Sequence, residues 1–327
     1  MRRATAATGA PVERLGVPRR PSGAIAGLDW TSPIDRSRWF VCETLTPLYY
    51  TRIYHQLSPG HRRRYNQLAG MYANELIAFL EREFLDLVLN AVRSAPVTER
   101  AGLGLRETAD EFRREERRHV ALWRRLNRLS DPERYAGTDR CFLRVPAVLV
   151  RLARLAARHP GAVPVVFWLQ LAQEERSIEI SRRSALMAAE AIEPRYAAVY
   201  RAHGRDEIRH VRIDCHLIER FYAGRSGAVR WTTARLLERL LDGPFMVPGG
   251  SSRRVIAALI EECPELLPLL PVFRRELRDV ARDPDYRRMM YSRDTTPITF
   301  ELLDRFPEFA RLQSLLQAYN PVRARLS

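Results

Sequence analysis

The chain contains no lysine. All fifty-four of its basic residues are arginine, set against thirty-nine acidic ones, for a formal charge of +15 over 327 residues. A balance this basic ordinarily points to nucleic acid. Here the exclusive use of arginine looks like GC-rich coding, and the arginines are spread along the chain, as at 62–64, 113–114, 117–118, 182–183 and 287–288. No aromatic interleaving suited to base stacking accompanies them, so no nucleic-acid partner is expected. Cysteine is scarce: Cys42, Cys141, Cys215 and Cys263 lie far apart with no close pair, which excludes a zinc ribbon or a disulfide framework. Long apolar runs are missing too. The best of them, 163–172 and 145–152, are too short to cross a bilayer, and the start, Met1-Arg2-Arg3-Ala4-Thr5, lacks the apolar core of a signal peptide. The expectation is a cytoplasmic protein with no membrane partner. The sequence also lacks a Gly-rich phosphate loop, a dinucleotide fingerprint and a Gly-x-Ser-x-Gly elbow.

What is present is a pentapeptide written twice. Glu115-Glu116-Arg117-Arg118-His119 returns ninety-one positions later as Asp206-Glu207-Ile208-Arg209-His210. On a helix, a Glu and a His three apart project from the same face, so each copy aims one carboxylate and one imidazole at a shared point. Both copies fall inside apolar stripes of helical period: Leu105, Ala109, Phe112, Glu116, His119, Trp123, Leu126 in the first, and Val199, His203, Glu207, His210, Leu217, Phe221 in the second. These residues therefore point into a core. A carboxylate in a core costs several kcal/mol unless it is paired or bound to metal.

Four-helix bundles with dinuclear carboxylate sites meet this cost with two Glu-x-x-His helices and two further helices that each give a Glu. In 72–92, Glu81 continues the stripe Asn74, Ile77, Glu81, Phe84, Val88, Ala91 better than Glu75 does. In 165–189, Glu175 lies on the stripe Trp168, Leu171, Glu175, Ile178, Ala185, and stripes through Glu174 or Glu179 match almost as well. With Glu175 the separations are thirty-five residues from Glu81 to Glu116 and thirty-two from Glu175 to Glu207, suited to antiparallel helix pairs with short connections. His203 precedes Glu207 by four residues and adds a third imidazole to that face. Asp206 and Glu115 are placed to accept a hydrogen bond from the histidine of the other pentapeptide, and Asp214 is a third candidate for that role.

In this order, Glu81, Glu116-x-x-His119, Glu175 and His203-x-x-x-Glu207-x-x-His210, the chain resembles the dinuclear iron N-oxygenases typified by p-aminobenzoate N-oxygenase. The resemblance spans about 36–225. It implies an all-α, ferritin-like four-helix bundle holding two iron ions, with manganese also compatible with oxygen and nitrogen donors. It further implies dioxygen as co-substrate, a small-molecule amine as substrate and an external reductase as electron donor. The reaction implied is oxidation of an aromatic amine to hydroxylamine and onward to the nitro group, in secondary metabolism. A hydroxylase or desaturase of free or carrier-bound substrates shares the ligand chemistry, and the third histidine argues against it. A non-catalytic iron-binding bundle and an Arg-rich nucleic-acid binder are the readings from another class.

Three parts are expected along the chain: a disordered tail over 1–34, the bundle over 35–225, and accessory helices over 226–327 that pack on the bundle and offer surface for a homodimer. Helices are anticipated over 107–129, 145–158, 164–191 and 194–223, then near 232–241, 252–262 and 267–282.

Overall fold

The computed structural model describes residues 28–94 and 103–317, and among them it is built from helices, with one isolated bridge between Trp39 and Ile192. A short α1 (Arg52–Gln56) leads into α2 (Pro59–Leu80), a π-helical turn over Glu81–Leu85 and α3 (Asp86–Arg93), which together form one long rod. At the start of the rod Pro59 occupies the first turn and the Ser58 hydroxyl accepts from the His61 N–H at 3.2 Å. Next come α4 (Leu103–Ser130), the crossover helix α5 (Ala147–Arg158), α6 (Val165–Ala185) and α7 (Pro194–Phe221). Pro194 and the Glu193 carboxylate, which accepts from the N–H groups of Arg195 and Tyr196, define the start of α7.

The rod pairs with α4 and α6 pairs with α7, while α4 also meets α7, which closes a four-helix bundle. Two apolar clusters fill it. One surrounds Phe167, Trp168 and Phe221 and takes in Phe112; the other surrounds Tyr65, Leu68 and Tyr200 and takes in Trp123.

Beyond the bundle lie α8 (Gly227–Asp242), α9 (Gly250–Glu262), α10 (Leu270–Asp279), α11 (Pro284–Met290), α12 (Pro297–Leu303) and α13 (Ala310–Gln317). Here α9 packs on α2, and α8 and α12 pack on α6. The last three are shorter than any helix expected from periodicity. Of the anticipated tail, 1–27 lies outside the described residues. Residues 28–34 do not behave as a disordered segment: Ile34 is buried, Arg125 lies over the Trp30 ring at 4.5 Å, and the Arg195 guanidinium donates to the carbonyls of Ser32 and Pro33. No helix among the described residues is long and apolar enough to cross a membrane.

Helices α6 and α7 approach closely at Gly204, next to His203. A Cβ built there would come within 2.6 Å of the Ser181 Cβ. Gly204→Ala is expected to lose about 1–3 kcal/mol to overpacking, more than the ~1 kcal/mol of helix propensity it gains. Thermal unfolding checks this; an unchanged or raised Tm would mean that the two helices separate freely.

Candidate metal centre

Each bundle helix carries at least one inward-facing donor. Glu81 opens the π-helical turn, Glu116 and His119 sit one turn apart on α4, Glu174 lies on α6, and His203, Glu207 and His210 occupy three successive turns of α7. All seven are buried. Their donor atoms fall into two groups, Glu81 with His119, His203 and Glu207, and Glu116 with Glu174, Glu207 and His210, within each of which the atoms lie within 4.8 Å of one another. Glu207 belongs to both. A carboxylate has two oxygens, so one side chain at this position can serve two ions at once.

The imidazoles are oriented. His119 turns Nδ1 toward the carboxylates of Glu81, Glu116 and Glu207, at 3.9, 3.7 and 3.5 Å, and His210 brings Nδ1 to 2.9 Å from Glu116 and 3.1 Å from Glu207. Their far nitrogens face acids outside the cluster: His119 Nε2 lies 3.1 Å from Asp206, and His210 Nε2 lies 3.0 Å from Glu115. Each pentapeptide thus supplies the acid that steadies the histidine of the other. An Nε2–H donating to a carboxylate leaves the Nδ1 lone pair free for a cation, and it makes the ring more basic. Glu115 is itself held by Arg209 and, at 3.4 Å, by Arg118. His203 approaches the other way, with Nε2 at 2.8 Å from Glu207 and 3.1 Å from Glu81.

The electrostatics describe a site short of positive charge. Burial first, then the neighbouring charge of Glu116, holds the Glu81 carboxyl well above the usual carboxylate range. Burial and Glu174 do the same to Glu207, and burial raises Glu174 itself. Burial also acts on Glu116, but the charge of His210 and the close approach of the His119 and His210 rings outweigh it and bring the group to about 2. His119, despite burial, is lifted to about 10 by its bonds to Asp206 and Glu116, while burial and the charge of His119 push His203 well below the ordinary imidazole value. Both oxygens of Glu116, Glu81 Oε2, Glu207 Oε1 and His119 Nδ1 have no well-aligned hydrogen bond. Unsatisfied buried donors and acceptors are expensive. A pair of divalent cations would satisfy these atoms and offset the carboxylate repulsion, and the mix of carboxylate and imidazole suits iron or manganese.

The choice of Glu175 is corrected. Its carboxylate faces away from the cluster and accepts from the N–H groups of Ile298, at 2.6 Å, and Thr299, at 2.8 Å, capping the start of α12. Glu174, one residue and about 100° around the helix, is the acid that reaches the site. Glu179, itself buried, is engaged by Arg182 and Arg183. Glu75, the alternative to Glu81, accepts from the Tyr135 hydroxyl and the N–H groups of Cys141, Phe142 and Leu143, which makes it a structural nest for a loop. Asp214 touches no histidine: Gln170 donates to it, and burial together with the charge of Glu174 raises its carboxyl well above the ordinary value.

Two aromatic walls flank the donors. The Phe112 ring stacks on His210 with centroids 3.7 Å apart, and Trp123 meets His203 edge-on at 4.9 Å while its indole N–H lies 3.4 Å from Glu81. Both were visible in the first stripe as apolar positions, one turn either side of Glu116 and His119. The π-helical turn at Glu81 had no such signal, although turns of this kind often mark functional positions.

Asp206→Asn keeps the ring contact geometrically feasible but removes the charge that fixes it. Metal affinity is expected to fall roughly ten- to a hundredfold, read by competition with a chelator. An unchanged affinity would make Asp206 an ordinary surface acid.

The family model for p-aminobenzoate N-oxygenase AurF matches residues 17–243. No curated protein matches the chain.

Proposed function

The chain belongs to the p-aminobenzoate N-oxygenase AurF family, and from that premise we propose that it is a diiron oxygenase converting a primary aromatic amine to the hydroxylamine and onward to the nitro product. The single observation that carries this reading is the pair of buried donor groups joined through Glu207, with His203 as the third imidazole. Glu81, His119, His203 and Glu207 would hold one ion, and Glu116, Glu174, Glu207 and His210 the other. Two ferrous ions bound there supply the reducing power that activates dioxygen.

The remaining tasks fall to the chain itself. Asp206 and Glu115 fix the rings of His119 and His210, so that the donor set is organised before any substrate arrives. Phe112 and Trp123 pack against His210 and His203 and keep bulk water from those sides. A buried site of this kind also selects its amine. An alkylamine with an ammonium pKa near ~10 is charged at neutral pH and would pay heavily for desolvation, whereas an aromatic amine is neutral and carries a free nitrogen lone pair. The first oxidation balances as amine, dioxygen, two electrons and two protons giving hydroxylamine and water, and an external reductase supplies the electrons for repeated turnover.

The test is to reconstitute the protein anaerobically with ferrous iron, then supply a chemical reductant, oxygen and a panel of aminobenzoates, aminophenols and arylamines. Hydroxylamine, nitroso or nitro products are expected, with close to two irons per chain. If iron binds and oxygen is consumed, yet only C–H hydroxylation or desaturation products form, the metal assignment stands and the N-oxygenase reading falls.

A further inference from the structure

A second concave site lies away from the metal centre, between α9, α10 and the segment that precedes α5. Its volume is about 490 Å³, within the range of small-molecule pockets. Four arginines line it, Arg144, Arg253, Arg254 and Arg274, and none of its lining residues is acidic. Among the described residues these four guanidinium groups enter no ion pair; Arg254 donates to the Cys141 carbonyl at 2.6 Å. Elsewhere in the fold, guanidinium groups near one another share an acid, as Arg64 and Arg134 share Glu262. All four are exposed, so water and salt screen part of their mutual repulsion, and an anion seated among them would relieve the rest.

The floor has a different character. Phe273 and Ile256 are buried beneath the arginines, with Ile260 and Leu277 beside them. The start of α9, a thirteen-residue helix whose N-cap Gly249 makes no side-chain cap bond, borders the same hollow at Gly250 and adds the positive end of its dipole there. Charge at the rim and apolar surface below define one chemical class. A bare inorganic anion would leave the floor unused, and a neutral aromatic would leave the four charges unanswered.

We propose that this hollow binds a small organic phosphate, a dianionic head group carried on an apolar or aromatic body. The arginines take the phosphate oxygens, for which the guanidinium fork is suited, and the accessible apolar lining of Ala257 and Leu270, backed by the buried Ile260, Phe273 and Ile256, takes the body. The pocket is concave and of single-molecule size, which favours a small ligand over a nucleic acid, whose backbone needs an extended basic track. It shares no residue with either donor group of the metal centre, so the site stands or falls independently of the oxygenase reading.

The experiment is calorimetric titration of the full chain with 1-naphthyl phosphate, 1-naphthol and inorganic phosphate, in low and moderate salt. Saturable, submillimolar binding of one 1-naphthyl phosphate per chain is expected, weakening as salt rises, with the naphthol and the inorganic phosphate each at least tenfold weaker. The Arg253→Ala/Arg274→Ala double variant should lose at least tenfold in affinity while keeping the wild-type circular dichroism and Tm. Arg278→Ala, on the same helix as Arg274 but outside the hollow, should bind as the wild type does. Should the double variant misfold, the Arg253→Gln and Arg274→Gln single variants carry the same expectation of weakened binding. The proposal is overturned if 1-naphthyl phosphate does not saturate, if inorganic phosphate binds as tightly, or if removing the arginines leaves the affinity unchanged.

Discussion

Glu207→Ala is expected to yield a folded chain that retains neither metal, while Glu174→Ala retains one. The asymmetry follows from connectivity. Glu207 is fully buried and common to both donor groups, so its loss removes a ligand from each ion and the contact through which they share charge. Glu174 serves only the group containing Glu116 and His210, which leaves Glu81, His119, His203 and Glu207 intact for the other ion. Glu175→Ala is the paired control. It should keep both metals and lose about 0.5–2 kcal/mol, the usual cost of removing an N-cap, because its carboxylate holds the N–H groups of Ile298 and Thr299. Iron analysis and thermal unfolding of the three variants read all of this. A Glu174→Ala protein with two irons beside a Glu175→Ala protein with one would reverse the assignment.

The case of these two neighbouring acids also shows where a sequence stops being legible. The duplicated pentapeptide was readable because a Glu and a His three apart on a long amphipathic helix have one face in common, and the polar faces of α4 and α7 left no doubt which side was inward. Helix α6 offers no such contrast. Residues 165–172 are buried on every side, since α7, α8 and α12 all pack against it, so several stripes fit equally and periodicity cannot rank Glu174 above Glu175. What occupies Glu175 is the first turn of α12, a seven-residue helix too short to announce itself by period. The missed helix and the misplaced ligand are the same omission. Glu81 was chosen over Glu75 on its stripe and lies in one of the two donor groups, but the π-helical turn that begins there packs on α4 and the crossover helix α5, which no local pattern encodes.

Removing the metals should make the fold strongly sensitive to alkali. In the metal-free chain Glu81, Glu174 and Glu207 have carboxyls raised above their unfolded value of 4.5, mainly by burial, and Asp214 is raised likewise. A group whose folded pKa is raised stabilises the fold below its unfolded pKa, and that contribution is lost as pH climbs through the folded pKa. His119, raised from 6.5 to about 10, acts in the same direction across that interval. Two groups act otherwise. Glu116, lowered to about 2, contributes a constant amount at neutral pH and above, and the lowered His203 favours folding as pH rises only up to its unfolded value of 6.5. Above pH 6.5, therefore, the remaining terms all have one sign. Each proton that the fold retains and the unfolded chain has released costs about 1.4 kcal/mol per pH unit, so His119 alone removes about 1.4 kcal/mol per unit between pH 6.5 and about 10 from a total stability of roughly 5–15 kcal/mol, and the raised carboxyls act in the same direction. The chelated protein should accordingly lose many degrees of Tm between pH 7 and 9. The iron-loaded protein should change little over the same range, because bound cations replace those protons, and ferrous iron added to the chelated protein in weak buffer should release acid. Equal and flat Tm profiles for the two forms, with no proton release, would mean that the buried carboxylates are ionised without a metal and that the donor groups are not a cation site.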